Sequence, residues 1–319
     1  MIDKIIHEKY PITVSDFNKL YWTEGQSMRQ IARDLGGRCS TLRKYVLKLG
    51  IKLKTKRQAY DDKIRNNVGR TYNVNLDFFK TFSPEMAWVL GVIASDGHVK
   101  CTNKDFGVTS KDLSFLEKVS DLLENERSIK KREYSSCYNL DISSVEMVKD
   151  LHNLGFYNNK SLNLEYPNIP QEFNSHFIRG YFDGDGWFYK QKTQHSTGLE
   201  KGQIGLVTGS ESFANSLVEI LRNQKLNPRL KVRERGHVTF PNGVESYRHE
   251  TYIIRLTGYS VAWFYKFIYE ESKEYMRLNR KYNKYSEWYN KFGSFYKDGR
   301  LNPTPSKAID FNNLEVSYV

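Results

Sequence analysis

The sequence predicts an α+β fold: a pseudo-twofold pair of αββαββα repeats with antiparallel sheets, preceded by a small all-α helix-turn-helix domain. Three observations predict it. The stretch "MAWVLGVIASDGHV" is echoed by "SHFIRGYFDGDGWF" at one constant offset, matching Trp88 with Phe177, Gly91 with Gly180, Asp96 with Asp185 and Gly97 with Gly186. After each copy, helical spacing alternates with short runs of period two, as helices interleaved with half-buried strands require. The first 54 residues instead show two helical patterns around a glycine pair. The chain therefore divides into a helix-turn-helix module (1–54), a linker (55–77), a first repeat (78–168), a second repeat (169–292) and a C-terminal tail (293–319).

In the N-terminal module, Ser27 can cap a helix bearing Ile31, Ala32 and Leu35, which Gly36 and Gly37 then break. Ser40 can cap a second helix with Leu42, Tyr45, Val46 and Leu49 at helical spacing. This resembles a helix-turn-helix DNA-binding unit whose second helix carries Arg38, Thr41, Arg43 and Lys44 at or near its leading turn. The following "KLKTKRQAYDDKIRNN" is polar, charged and weakly periodic, and reads as a linker.

From residue 78 each copy reads helix, two strands, helix, two strands, helix. "TSKDLSFLEKVSDLL" parallels "TGSESFANSLVEIL", and "SSVEMVKDLHNLG" parallels "YSVAWFYKFIYEE". The second copy holds two insertions: "KQKTQHSTGLEKG", and "RGHVTFPNGVESYRHE", where Pro241-Asn242-Gly243 signals a hairpin. In "RLKVRER", Arg229, Lys231, Arg233 and Arg235 alternate with other residues, so a strand there places the four cations on one face. Lys130 and Arg132 share a parity at the matching place in the first copy. Basic faces at equivalent places of a repeat fit a nucleic-acid groove.

Composition points the same way. Lys and Arg outnumber Asp and Glu by 49 to 37, a net charge of +12, which favours a polyanionic partner. No apolar run reaches the roughly 18 to 20 residues of a spanning helix, so no membrane partner is expected. The N-terminus lacks a signal-peptide core, and Cys39, Cys101 and Cys137 suit neither a disulfide framework nor a zinc site. The expected setting is cytoplasmic, of bacterial or phage type, or organellar.

The paired motifs carry the chemistry. Gly91 and Gly180 fall inside helical patterns, where glycine costs roughly 1 kcal/mol relative to alanine. Two helices packed closely across these glycines would bring Asp96 and Asp185 together at their C-terminal ends. Two carboxylates there repel one another and oppose both helix dipoles, which a cation with a preference for hard oxygen ligands relieves.

"VLGVIASDG" and "IRGYFDGDG" resemble the paired signatures of the LAGLIDADG homing endonucleases, over roughly residues 80 to 290. The first copy departs at Ala94, where the family has an aspartate, so that Asp183 of the second copy has no counterpart. The resemblance implies saddle-shaped sheets over the major groove of a long, imperfectly symmetric duplex DNA target and a single chain acting as a monomer. It implies Asp96 and Asp185 as catalytic metal ligands for Mg2+, with Mn2+ as an alternative. It implies a lysine near the end of each repeat, which "GFYNNKSLNLEYPNIP" and "YMRLNRKYNKYSEW" identify as Lys160 and Lys281. Such a lysine would polarise the attacking water or stabilise charge developing on the phosphate. The expected reaction is cutting of both strands across the minor groove, leaving short 3′ overhangs. A free-standing, phage or intron-borne enzyme is expected rather than a splicing intein, because no terminal splicing residues frame the chain. The alternatives are a DNA-binding transcription regulator without catalysis and a maturase acting on its host intron RNA. Asp183 is expected to be a cap or a supporting group, and His98, which follows the first motif, is unassigned beside its counterpart Trp187.

Overall fold

The structure, a computed structural model, describes residues 3–65, 72–192, 200–239, 243, 245–293, 296–297 and 300–301. It has two compact units, Met1–Asn73 and Val74–Val319.

The N-terminal unit opens with a hairpin of β1 (Ile5–His7) and β2 (Tyr10–Thr13), so it is not all-α. Ile6, Tyr10 and Ile12 alternate inward, and their burial against the helices outweighs the weak strand signal of so short a run. Helix α1 (Val14–Asn18) follows, then a π turn over Lys19–Thr23, α2 (Met28–Asp34) and α3 (Cys39–Lys48). Ser27 caps α2 as expected, accepting from the Gln30 N–H at 3.1 Å. Ser40 does not cap α3, which starts two residues earlier with Arg38 at the N-cap. There the Tyr10 hydroxyl does the local work: it accepts from Arg38 N–H and donates to Arg38 O, both at 2.9 Å.

The stretch read as a linker is partly helical: α4 spans Lys56–Arg65. Its start is a capping box, with Thr55 Oγ1 accepting from Gln58 N–H and Gln58 Oε1 accepting from Thr55 N–H. Lys54 pairs with Asp62 of α4 and donates to Tyr21 O, which ties the helix to its own unit.

The second unit contains both repeats. The first runs α5 (Pro84–Asp96), β3 (Gly97–Val99), β4 (Asp105–Ser110), α6 (Leu113–Leu122), β5 (Lys130–Lys131), β6 (Tyr138–Ser143) and α7 (Val145–Asn153), followed by the short α8 (Lys160–Asn163). The second runs α9 (Asn174–Asp185), β7 (Trp187–Lys192), β8 (Glu200–Thr208), α10 (Glu211–Asn223), β9 (Arg229–Arg233), an inserted hairpin of β10 (Gly236–Thr239) and β11 (Glu245–Arg248), β12 (Thr251–Thr257) and α11 (Tyr259–Tyr269). Helix α12 (Asn279–Phe292) closes it.

The sheets have the same topology. Their orders are β3-β4-β6-β5 and β7-β8-β12-β9, all antiparallel. One face of each sheet is the core side, carrying Phe106, Val108, Leu140 and Ile142 in the first and Ile204, Leu206, Ile254 and Leu256 in the second. Because side chains alternate, the residues between them form the opposite, open face.

The inserted hairpin falls where the sequence places it, while Pro241 and Asn242 lie outside the described residues. So does most of the tail. Val74 and Phe79 are buried in this unit's core, which therefore begins inside the stretch assigned to the linker.

Candidate active site

Helices α5 and α9 form the seam between the repeats, and the glycines set their separation. A Cβ added to Gly91 would lie 2.1 Å from Phe177 O, and one added to Gly180 would lie 2.1 Å from Trp88 O. The contacts are reciprocal, since Trp88 and Phe177 are themselves equivalent positions. Backbone thus rests on backbone, which explains glycine inside a helix. Residues Met86 to Ala94 are all buried. Ser83 starts α5 by accepting from Met86 N–H at 3.1 Å.

The same seam brings the helix ends together. Asp96 and Asp185 are the last residues of α5 and α9. A Cβ on Gly184 would lie 2.0 Å from Ser95 Oγ and 3.1 Å from Asp96 Oδ2, so the Asp96 carboxylate reaches across onto the end of α9. Burial, and then the charge of Asp185, push the Asp96 carboxyl up to about 6. Asp185 is raised as well, by loss of hydration, with Lys160 and Lys281 opposing. Asp185 is open to solvent by surface area, yet protein crowds its other sides.

Lys160 and Lys281 come to this place from other elements. Lys160, 6% exposed, begins α8 after Asn159 in a left-handed conformation (φ 58°), and its Nζ donates to Ala94 O at 2.7 Å. Lys281 of α12 donates to Phe182 O, Gly184 O and Gly186 O at 2.8, 2.7 and 2.5 Å. Each ammonium therefore sits at the negative end of one motif helix, where the last carbonyls lack helical partners. Of the Lys281 acceptors, Phe182 O also accepts from Gly186 N–H at 3.0 Å. Burial pushes both lysines down to about 8, so both remain charged at neutral pH.

Asp183 is not a cap. It is 1% exposed, inside α9, and accepts from Trp88 Nε1 at 3.1 Å and from the Tyr269 hydroxyl at 2.9 Å. Burial raises its carboxyl to about 6. At the mirrored place the pair is Phe177 and Ala94, both apolar. The motif alignment carried this signal: an acid against alanine in one column, and tryptophan against phenylalanine in another. Next to Asp183, the buried Arg179 donates to Ile268 O and Met276 O, both at 2.8 Å.

The open faces of the sheets hold the cations. Arg229, Lys231 and Arg233 lie along β9, an edge strand exposed throughout. Arg235 lies past its end, because the strand stops at Arg233 before the inserted hairpin. In the first repeat β5 is two residues long, with Lys130 inside it and Arg132 beyond it, bonded through its N–H to Cys137 O at 2.9 Å. Sequence reasoning missed Asp141 on β6 and Arg255 on β12, which face the same way. In the N-terminal unit, Arg38, Arg43 and Lys44 are exposed and Thr41 is half-buried. Ser40, Arg43, Lys44, Leu47 and Lys48 make a free stripe on α3.

As a cation site, the pair offers two carboxylates, and among the described residues no group of three or more His, Cys, Asp or Glu side chains gathers. Two hard oxygen donors whose mutual repulsion is evident in Asp96 fit a divalent ion that completes its shell with water and phosphate oxygens. No helix among the described residues is long and apolar enough to cross a membrane.

The family described as LAGLIDADG-like domain matches residues 83–154 and 172–269, together just over half of the chain. No curated protein matches it in sequence. Among solved structures, the I-SmaMI LAGLIDADG homing endonuclease bound to cleaved DNA is 14% identical, with a TM-score of 0.43, covering 68% of this chain and 91% of that one. I-LtrWI, a LAGLIDADG homing endonuclease bound to target DNA, is 12% identical with a TM-score of 0.40, over 67% and 89%. At these values the superpositions carry no weight of their own, and the family match and the reciprocal glycine seam stand without them.

Proposed function

This chain belongs to the LAGLIDADG family, and on that footing we propose that it is a site-specific endonuclease that hydrolyses both strands of a long duplex DNA target. The carrying observation is the meeting of Asp96 and Asp185 at the ends of two glycine-packed helices. Asp96 and Asp185 would hold a divalent cation, Mg2+ with Mn2+ as a substitute. Such an ion, when bound, stabilises charge on the attacking and leaving oxygens of the phosphodiester.

The protein's own contribution is placement. Gly91 and Gly180 fix the distance between the helix ends. Lys160 and Lys281 hold the last carbonyls of each helix and add positive potential beside the scissile phosphates. Their hydrogen bonds make them positioning and electrostatic groups. Neither is a ready base, since each is an ammonium in contact with backbone acceptors. Arg229, Lys231 and Arg233, with Lys130 and Arg132 opposite, supply phosphate and base contacts on the open faces. The exposed stripe on α3 supports a second DNA contact through the N-terminal unit.

The test is Mg2+-dependent cutting of a randomised duplex library by the full chain, compared with Asp96→Asn and Asp185→Asn. Wild type is expected to make double-strand cuts. Each variant should still bind DNA and cut at least about a hundredfold more slowly. DNA binding without any cutting by wild type would replace this reading with that of a non-catalytic regulator.

A further inference from the structure

The two sheets carry opposite charges at one equivalent position. In the first, Gly107 of β4 pairs with His98 of β3 on one side and with Asp141 of β6 on the other. In the second, Gly205 of β8 pairs with Trp187 of β7 and with Arg255 of β12. His98 and Trp187 each stand two residues past a motif aspartate, so the two trios correspond, and Asp141 corresponds to Arg255. By alternation with the buried strand residues, both trios lie on the open faces.

The central glycine leaves the room these side chains occupy. A Cβ at Gly107 would come within 3.0 Å of the His98 ring and 3.1 Å of Asp141 Oδ1, and one at Gly205 within 2.1 Å of the Trp187 ring. Both charged side chains are half-buried. Asp141 stands between Lys100 Nζ at 3.2 Å and His98 Nε2 at 3.7 Å. Both nitrogens face the same buried oxygen, Asp141 Oδ1, and the Nε of Arg255 is buried with no hydrogen-bond partner among the described residues.

We propose that Asp141 and Arg255 read symmetry-related base pairs of the target with opposite chemistry, cytosine before Asp141 and guanine before Arg255. This rests on the DNA-cleaving reading above. A carboxylate accepts from the N4 amine of cytosine, and a guanidinium donates its fork to O6 and N7 of guanine. Related halves bearing the same residue would select a palindrome at that place; these halves select against one. Guanine on the strand facing the second half means cytosine on its complement. One strand of the target therefore carries cytosine at both mirrored positions, where a palindrome would carry cytosine and guanine.

The experiment is binding selection by the full chain from a randomised duplex library with EDTA present, so that the readout does not depend on cutting. The expected result is one mirrored pair of positions with cytosine at both on the same strand. Asp141→Arg should convert the first-half position to guanine and make that pair palindromic, with the rest of the site unchanged. Asp141→Asn, which keeps the size of the side chain and serves if the arginine variant does not fold, should reduce the cytosine preference by about tenfold. A wild-type site that is palindromic at every mirrored pair overturns the inference alone. So does a cytosine preference that neither variant moves. Failure to select any sequence overturns it together with the endonuclease reading.

Discussion

Asp183 is a carboxylate with two hydrogen-bond donors and no access to water. Burial moves its carboxyl from an ordinary 3.8 to about 6. Between those values the folded chain holds a proton that the unfolded chain has released. This residue therefore adds stability as pH falls from about 6 to about 4, and withdraws it as pH rises. Asp183→Asn removes that dependence, since an amide can accept from Trp88 through its oxygen and donate to the Tyr269 hydroxyl. The variant should be more stable than wild type at pH 7.5, by on the order of 2 kcal/mol. The difference should close by pH 4. Urea unfolding at the two pH values measures it, and an offset that is the same at both would contradict the burial of an ionised acid. From the sequence this residue read as a cap or a supporting group, because Ala94 stands opposite it in the repeat and leaves it unpaired there. Its real partners are Trp88 and Tyr269, far away along the chain, and nothing local announces them. The pairing of Asp96 and Asp185 was legible for the opposite reason: each carries its context with it, and the context occurs twice.

At the scale of elements, the seam of α5 and α9 sets what the sequence can tolerate. Gly180→Ala gains roughly 1 kcal/mol of helix propensity, but its Cβ would sit 2.1 Å from a backbone oxygen that cannot rotate away. Separating the helices costs about 3 kcal/mol and shifts Asp185 away from Asp96. A lowered thermal midpoint together with lost cutting is expected, and the same for Gly91→Ala. A variant that melts like wild type would mean that the helices do not touch there. Both repeats, the succession of helices and strands along them and the inserted hairpin were readable because period and duplication reinforce each other. The β1–β2 hairpin was not, since its strands are too short to show a period. Helix α4 was hidden by its charge, although Thr55 and Gln58 spelled its capping box. The helix-end role of Lys160 and Lys281 depends on α8 and α12 folding back onto the motif helices, and spacing alone does not encode that return.

At the scale of the whole molecule, each lysine belongs to the end of a repeat and bonds to carbonyls of the helix that begins it. Its charge acts across the seam: Lys281 lowers Asp96 more than Lys160 does, and Lys160 lowers Asp185 more than Lys281 does. Lys160 follows α7, and Lys281 follows α11. Every repeat is thus closed on itself by backbone hydrogen bonds, and the two are linked across one seam by charge. The N-terminal unit has its own core and its own candidate DNA-reading helix, so the chain holds two separately folded regions suited to the same polyanion.

The mismatch of Trp88 and Asp183 with Phe177 and Ala94 also decides partner choice. Suppose the chain is severed between α7 and α9 and the halves are made together. Two copies of the second half would set Asp183 against Phe177, burying a carboxylate with its Trp88 donor gone. Two copies of the first would set the indole N–H of Trp88 against Ala94, with no acceptor. Only the mixed pair satisfies both groups, and breaking a buried polar pair costs several kcal/mol. Co-purified halves should therefore form a one-to-one heterodimer by sedimentation, and the double change Trp88→Phe with Asp183→Ala should let like halves associate. A seam that serves catalysis in the intact chain would act, once cut, as a code for which half may join which.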